Sequence, residues 1–133
     1  MGVVTTPFLC VIAAFVLIWV PRIFVLRAQA AEPGGLDNRN PRDQQARLEG
    51  LGRRANAAHA NSFEAFAPFA VAVVLAHLTH ASDRWSSALA IAFVLLRCVY
   101  IAAYLGDRPT LRSAVWILGL VATSALMLLG AFA

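Results

Sequence analysis

Four long apolar segments dominate the hydrophobic pattern, at residues 6–26, 54–78, 86–105 and 111–132. A helix of about 20 apolar residues crosses the hydrocarbon core of a bilayer, so each segment predicts one membrane-spanning helix. Residues 28–52, in contrast, are rich in proline, glycine, amide and charged side chains and form the one sizeable polar loop. The pattern predicts an all-α integral membrane protein, a four-helix bundle that forms a single domain over residues 1–133.

Composition and charge agree with a membrane protein and argue against nucleic-acid binding. Of the 133 residues, 60% are hydrophobic, the mean hydropathy is +0.70, and the 11 basic residues are all arginine. Nearly all of these arginines flank the first and third connections between spans. Because positively charged loops stay on the cytoplasmic side, we expect loops 1 and 3 to be cytoplasmic and both termini to lie opposite, in a bacterial inner membrane. No basic n-region of a signal peptide precedes the first span, so we expect that span to be retained.

Two charged side chains interrupt the second and third spans, Glu64 and Arg97. A charge inside hydrocarbon costs roughly 2.5–3.5 kcal/mol on insertion scales, so it needs a partner, a water-filled cavity or a ligand. Each residue lies about ten positions from the cytoplasmic end of its helix, which is a depth of about 15 Å. Because the two depths are equal and the two charges are opposite, we predict an ion pair between Glu64 and Arg97. Asn61 lies on the same helix face as Glu64. The alternative to a ligand site is an ion pair that only holds the two helices together.

Further polar side chains continue this pattern towards the cytoplasm. Tyr100 and Tyr104 follow Arg97 at i+3 and i+7, spacings that bring all three side chains to one helix face. Arg112 and Ser113 fall in the first turn of the last span, where free N–H groups and the helix dipole favour an anion. The sequence therefore predicts a cationic, hydrogen-bonding pocket that opens to the cytoplasm and suits an anionic peptide-like or phosphate-bearing ligand.

Two stretches that carry these residues resemble the MAPEG family, the membrane-associated proteins in eicosanoid and glutathione metabolism. They read AHANSFEAFAPF at residues 58–69 and RCVYIAAYLGDRPTLRS at residues 97–113. The resemblance implies a homotrimer of four-helix subunits, with glutathione as a cosubstrate held between neighbouring subunits near the cytoplasmic side. The glutathione contacts that it implies are Arg27, Asn61, Glu64, Arg97, Tyr100, Tyr104 and Ser113.

The same resemblance gives the catalytic role to Arg112, which corresponds to an arginine that stabilises the glutathione thiolate in several family members. A thiol with a pKa of about 8.5 is mostly protonated at neutral pH, and a nearby guanidinium favours the thiolate. Arginine keeps its own proton in proteins, so it acts through electrostatics and not as a general base. The thiolate then attacks a lipophilic electrophile or a lipid hydroperoxide that arrives from the bilayer.

The chain departs from the family pattern at two positions, because Ala57 and Ala60 stand where some members carry arginine. Two hypotheses follow for the function. The leading one is a membrane-bound, glutathione-dependent transferase or peroxidase that acts on lipophilic electrophiles. The alternative is a non-catalytic MAPEG-like membrane protein that binds lipid or stabilises a membrane complex. An ion path through Glu64 and Arg97 is a third hypothesis, which no discontinuous helix pair or repeat supports.

The remaining metal-binding and thiol side chains predict no further site. His77 and His80 lie three residues apart near Asp83. No third firm ligand accompanies them, so we interpret them as interfacial histidines and expect no metal site. Cys10 and Cys98 both fall inside apolar spans, which predicts two free thiols in place of a disulfide.

Overall fold

The computed structural model describes residues 5–133 and contains five helices. They are α1 (Thr6–Ala31), α2 (Pro41–Arg47), α3 (Gly50–Leu78), α4 (Asp83–Leu105) and α5 (Pro109–Ala131). All except α2 are long and apolar enough to cross a membrane, which confirms the prediction of an all-helical integral membrane protein with four candidate spans. Residues 1–4, for which we predict a position opposite to the cytoplasm, lie outside the described residues.

The four long helices form a bundle in which α3 and α4 are central, each packing against the other three long helices. Small residues fill much of the core, together with Phe69 and Phe93, whose rings stack with centroids 3.9 Å apart. Large apolar side chains such as Trp19, Leu95 and Leu118 are exposed on the outside. Soluble monomers rarely expose apolar surface of this extent. The outer surface of the bundle therefore suits a bilayer.

The segment between α1 and α3, predicted as a polar loop over residues 28–52, is shorter and more ordered than its composition indicates. Both long helices extend into it, and α2 lies within it. The Nε2 of Gln44 donates to the carbonyl oxygens of Gln29 (3.1 Å) and Gly35 (2.9 Å). The Oε1 of Gln44 accepts from Gln29 Nε2 (3.0 Å) and from the backbone N–H of Asp37 (3.0 Å). Buried amide hydrogen bonds order this segment, and hydropathy does not detect them.

α3 and α5 approach each other closely at Gly130, so we expect that no larger side chain fits at this position. A Cβ added there lies 2.8 Å from the backbone nitrogen and 2.9 Å from the Cα of Ala76, and a helix backbone does not rotate aside. We expect Gly130→Ala to destabilise the bundle by about 1–3 kcal/mol through overpacking, measured as a lower thermal unfolding midpoint in detergent. The control is Gly119→Ala on the same helix, where an added Cβ meets no atom within 4 Å. Equal midpoints for the two variants would contradict the prediction.

Candidate functional site

Arg97 on α4 is buried and reaches across to α3, with 5% of its surface exposed. Its Nη1 donates to Asn61 Oδ1 (3.0 Å) and its Nη2 donates to Ser62 Oγ (3.1 Å). Ser62 in turn donates to the carbonyl oxygen of Ala58, one helical turn earlier, at 2.8 Å. The guanidinium carbon of Arg97 also lies 4.0 Å from the centroid of the Tyr100 ring, as in a cation–π contact. Neutral groups therefore hold this charge inside the bundle.

The predicted ion pair between Arg97 and Glu64 is wrong. Both residues lie in the described part of the chain, and no ion pair joins them. The amide of Asn61 connects them instead, because its Oδ1 accepts from Arg97 and its Nδ2 donates to Glu64 Oε2 at 3.1 Å. Equal depth in the membrane fixes the height of each charge along its helix, but it does not fix the direction in which each side chain points. The Glu64 carboxylate consequently remains exposed.

A cavity of about 130 Å³, which we call the inner cavity, lies between α3, α4 and α5. Asn61, Glu64 and Arg97 line the end that faces the arginine-rich loops. Pro68, Phe93 and Thr123 line the end that lies deeper in the bundle, each about one helical turn further along its helix than Glu64, Arg97 and Gly119. The inner cavity is therefore polar at one end and largely apolar at the other.

A second cavity of about 420 Å³, which we call the outer cavity, lies between α4 and α5, nearer to the turn that joins them. Its lining includes Tyr100, Tyr104, Arg112 and Ser113. The guanidinium carbon of Arg112 lies 4.5 Å from the centroid of the Tyr104 ring, and the two tyrosine rings meet edge to face at 5.6 Å. Trp116 lines both cavities, so they adjoin at this side chain. The structure thus places the polar side chains predicted on the second, third and fourth spans along two adjoining cavities.

Arg112 has no acidic partner in residues 5–133, since no carboxylate there lies within 4.0 Å of its side-chain nitrogens. The free N–H groups of the first turn of α5 lie on the same element, because the helix begins at Pro109. A guanidinium held by an aromatic ring and not by a carboxylate keeps its hydrogen-bond donors available. The outer cavity therefore offers a free positive charge to an anionic ligand.

Some family members carry arginine at the positions of Ala57 and Ala60, and Arg54 has a different role from those arginines. Its Nη2 donates to the carbonyl oxygen of Leu105 at 3.4 Å, and its Nη1 lies 3.8 Å from the Asp107 carboxylate. These contacts tie the start of α3 to the turn between α4 and α5, where Asp107 adopts a left-handed backbone conformation with φ of 55°. These contacts therefore hold the side chain of Arg54 at the end of the bundle.

Arg27, which the resemblance implies as a glutathione contact, and His59, which lies in the first of the two stretches that carry the resemblance, lie away from both cavities. Arg27 is exposed near the end of α1 and is not among the described residues that line either cavity. His59 packs between Trp19 and Phe63, and its Nδ1 lies 2.8 Å from the carbonyl oxygen of Ile18. Because a carbonyl oxygen only accepts, the Nδ1 of His59 carries the hydrogen in this contact. His59 therefore joins α3 to α1.

Sequence reasoning missed three side chains that shape the site: Ser62, Trp116 and Thr123. Ser62 is buried beside Arg97 and is one of its two hydrogen-bond acceptors. Trp116 lies four residues after Arg112, so helical spacing alone was sufficient to place both side chains on one face of α5. Thr123 offered no such signal, because hydroxyl side chains are common in membrane helices and often bond to their own backbone.

The assembled groups favour a zwitterionic or anionic ligand with several hydrogen-bonding groups. Two guanidinium groups, one carboxylate, two phenols and one serine hydroxyl line the adjoining cavities. No residue in the described range 5–133 belongs to a cluster of three or more His, Cys, Asp or Glu side chains that could hold a metal ion. The groups that line the two cavities can bind a negatively charged group and stabilise it electrostatically.

The sequence profile of the MAPEG family matches residues 6–132, which is nearly the whole chain. No curated protein matches the chain significantly. The matched range includes all four long helices and every residue that lines the two cavities.

Proposed function

The chain belongs to the MAPEG family, and on this premise we propose that it is a glutathione-dependent transferase or peroxidase acting on lipophilic electrophiles. Membership makes it a membrane protein of eicosanoid or glutathione metabolism. The proposal adds a reaction: Arg112 stabilises the thiolate of a bound glutathione. Asn61, Glu64, Arg97, Tyr100, Tyr104 and Ser113 contact the tripeptide in this proposal, as the sequence resemblance implies.

The observation that carries the proposal is that three charged side chains along the two adjoining cavities are not paired with one another. Glu64, Arg97 and Arg112 line adjoining cavities and none of them is paired with another of the three, within the described residues. Unpaired charges at membrane depth are costly and mark functional sites by default. Glutathione carries two carboxylates, one ammonium group and an ionisable thiol, so it complements both signs of charge. A purely structural network would instead pair these groups directly.

The proposed chemistry needs only electrostatic help from the protein. Glutathione loses its thiol proton to solvent, and the guanidinium of Arg112 favours the resulting thiolate. In a transfer reaction the sulfur forms a bond to an electrophilic carbon, and the leaving group departs with the electron pair of the bond that breaks. In a peroxidase reaction the sulfur takes the terminal hydroperoxide oxygen and an alcohol leaves. A second glutathione then reduces the sulfenic acid, which gives glutathione disulfide and water.

The proposal includes a homotrimer in which neighbouring subunits complete each site. Arg27 supports this arrangement, because it is exposed on α1 and lines neither cavity of its own subunit. A residue that contacts glutathione bound in the site of the neighbouring subunit would have these properties. The arginines beside loops 1 and 3 support a cytoplasmic position for those loops. In this orientation glutathione would enter the site from the cytoplasm of a bacterial cell, and lipophilic substrates would enter it from the inner membrane.

A specific observation also favours the non-catalytic alternative, in which the protein binds lipid or stabilises a membrane complex. Ala57 and Ala60 carry no charge on the side of α3 where some family members have arginine. The deeper end of the inner cavity is apolar and suits a hydrocarbon group. A lipid that fills both cavities would need no thiol.

The test is equilibrium binding of glutathione to the detergent-purified protein, combined with stopped-flow detection of thiolate absorbance. We expect saturable binding at millimolar concentration or below and a thiolate signal that follows it. S-methylglutathione is the matched control, because it has the same charged groups but no ionisable thiol, and it should bind without the signal. Absence of saturable binding by either compound would reject the enzyme and favour the lipid-binding alternative.

A further inference from the structure

The connection between α1 and α3 is the part of the chain richest in arginine, and most of these arginines have no part in the proposed reaction. Residues 22–54 contain seven arginines and four acidic side chains, which gives a net charge of +3. We propose that α2 and the residues beside it form a binding surface for the phosphate groups of anionic phospholipids, with Arg39, Arg42 and Arg47 as its main contacts. We call this the α2 surface. It is independent of the proposed function, because its ligand is a lipid of the surrounding bilayer and not a substrate.

The position of α2 along the bundle corresponds to the headgroup layer of a bilayer. Gln44 of α2 contacts Gln29, which lies three residues beyond the end of the first apolar segment. Three residues of helix span about 4.5 Å, and a headgroup layer extends about 5–8 Å beyond each side of the hydrocarbon core. Leu48, directly after α2, packs against Val25 and Ala55 at the ends of two spans. α2 therefore lies against the bundle at the depth of the lipid headgroups.

The arginine side chains of the α2 surface are available to a ligand. Arg39, Arg42 and Arg47 are all exposed, and no carboxylate in residues 5–133 lies within 4.0 Å of their side-chain nitrogens. Guanidinium groups without an acidic partner keep their donors for the paired oxygens of a phosphate. Asp43 and Glu49 are exposed in the same segment. The attraction of a phosphate therefore depends on the excess of arginines over acidic side chains.

The other two acidic side chains of the segment are engaged in hydrogen bonds within it. Glu32 Oε2 accepts from Gln44 Nε2 at 3.2 Å. Asp37 Oδ1 accepts from the backbone N–H groups of Arg39 (3.0 Å) and Asn40 (2.9 Å). These hydrogen bonds direct both carboxylates towards donors of the segment itself, so they compete less with a phosphate for the guanidinium groups.

The order of this segment distinguishes a binding surface from a topology signal. Arginines that only fix the orientation of a membrane protein need to lie near the ends of the spans, and no particular fold is required of them. Here Arg42 and Arg47 lie on a helix that the buried amides of Gln29 and Gln44 attach to α1. A surface that is ordered before its ligand arrives loses less conformational freedom on binding. The structure therefore favours a ligand for these arginines in addition to a role in topology.

Two exposed leucines beside the arginines favour a lipid over a soluble phosphate ester. Leu36 and Leu51 are 48% and 43% exposed, and they precede and follow α2 in the chain. At the depth of the headgroup layer such side chains can reach the acyl chains, as the apolar residues of interfacial helices do. A ligand that has both a phosphate and hydrocarbon chains can contact the arginines and the leucines at once.

The test is the Kd for the first phosphatidylglycerol bound to the detergent-purified protein, measured by native mass spectrometry. Phosphatidylcholine with the same acyl chains is the reference lipid without a net charge. Each basic residue near an anionic headgroup changes the affinity by roughly fivefold. We therefore expect Arg42→Gln combined with Arg47→Gln to raise the Kd for phosphatidylglycerol by roughly tenfold or more, and to leave the Kd for phosphatidylcholine unchanged. Glutathione thiolate formation should match the wild type, since neither arginine lines a cavity.

The control combines Arg84→Gln with Arg108→Gln, which removes the same charge at two exposed arginines outside the segment. We expect this pair to change the Kd for phosphatidylglycerol by less than about twofold. Arg42→Lys with Arg47→Lys should retain most of the affinity, because the charge is kept. Equal losses in the two glutamine pairs, or equal Kd values for the two lipids in the wild type, would overturn the proposal. Displacement of the lipid by millimolar glycerol phosphate would also overturn it and would indicate a site for soluble phosphate esters.

Discussion

Replacing Arg112 with alanine is expected to lower kcat for glutathione-dependent turnover by roughly 10²–10³-fold, which is the usual effect of losing one group that stabilises developing or full negative charge. Arg112 lines the outer cavity, and no carboxylate in residues 5–133 pairs with it. Its contact with the Tyr104 ring, at 4.5 Å, positions the guanidinium without neutralising it. Equilibrium binding of glutathione should weaken much less than turnover, because the remaining contacts stay in place.

The measurement is thiolate absorbance after rapid mixing, together with glutathione affinity and the size of the oligomer in detergent. Arg112→Lys tests the charge separately from the geometry, since an ammonium retains the charge but loses the planar fork. Arg108→Ala is the matched control, because Arg108 is an exposed arginine in the turn before the helix and lines neither cavity. Parallel loss of activity and of the oligomer in Arg112→Ala would make this residue structural.

Replacing Glu64 with glutamine is expected to weaken glutathione binding by about tenfold or more, which corresponds to a charged hydrogen bond worth about 1.5–3 kcal/mol. The thermal unfolding midpoint should change little. Glutamine retains the oxygen that accepts from Asn61 Nδ2, and Arg97 keeps both of its acceptors, Asn61 and Ser62. The charge of Glu64 would then serve the ligand and not the fold.

Asn61→Leu provides the comparison, because it removes an acceptor of a buried guanidinium. An unsatisfied buried donor costs about 1–3 kcal/mol, and more when it is charged, so this variant should unfold at a lower temperature in addition to losing affinity. Calorimetry in detergent and glutathione titration measure the two effects separately. If Glu64→Gln lowered the midpoint as much as Asn61→Leu does, a direct ion pair between Glu64 and Arg97 would be the better description.

Hydropathy was sufficient to predict the four spans, because a bilayer imposes a length of about 20 apolar residues on every crossing helix. It was not sufficient for the segment around Gln44. That order depends on amide hydrogen bonds between residues far apart in sequence, such as Gln29 and Gln44. Polar composition predicts a loop there, although residues 41–47 carry local helix signals, with Pro41 at the first position, Asp43 in the first turn and Arg47 in the last turn.

Helical spacing grouped the site residues on each helix, since side chains three and four positions apart share a face. It did not identify which side chains touch across helices. The rotation of α3 relative to α4 decides that Arg97 meets Asn61 and Ser62, and spacing within either helix contains no information on that rotation. Trp116 was absent from the predicted pocket for a different reason: its spacing of four residues from Arg112 was available in the sequence but was not used, although Trp116 lines both cavities.

The segment that connects α1 to α3 has a consequence for the behaviour of the protein in salt. Its central hydrogen bonds join Gln29 and Gln44, two neutral side chains that are 0% and 2% exposed. Ionic screening weakens exposed charge pairs over distances of about 10 Å at 0.1 M salt, but it does not act on buried contacts between neutral amides. The arginines carried by this segment are thus attached to a scaffold whose central amide hydrogen bonds depend little on ionic strength, while their attraction to a charged membrane surface varies with it.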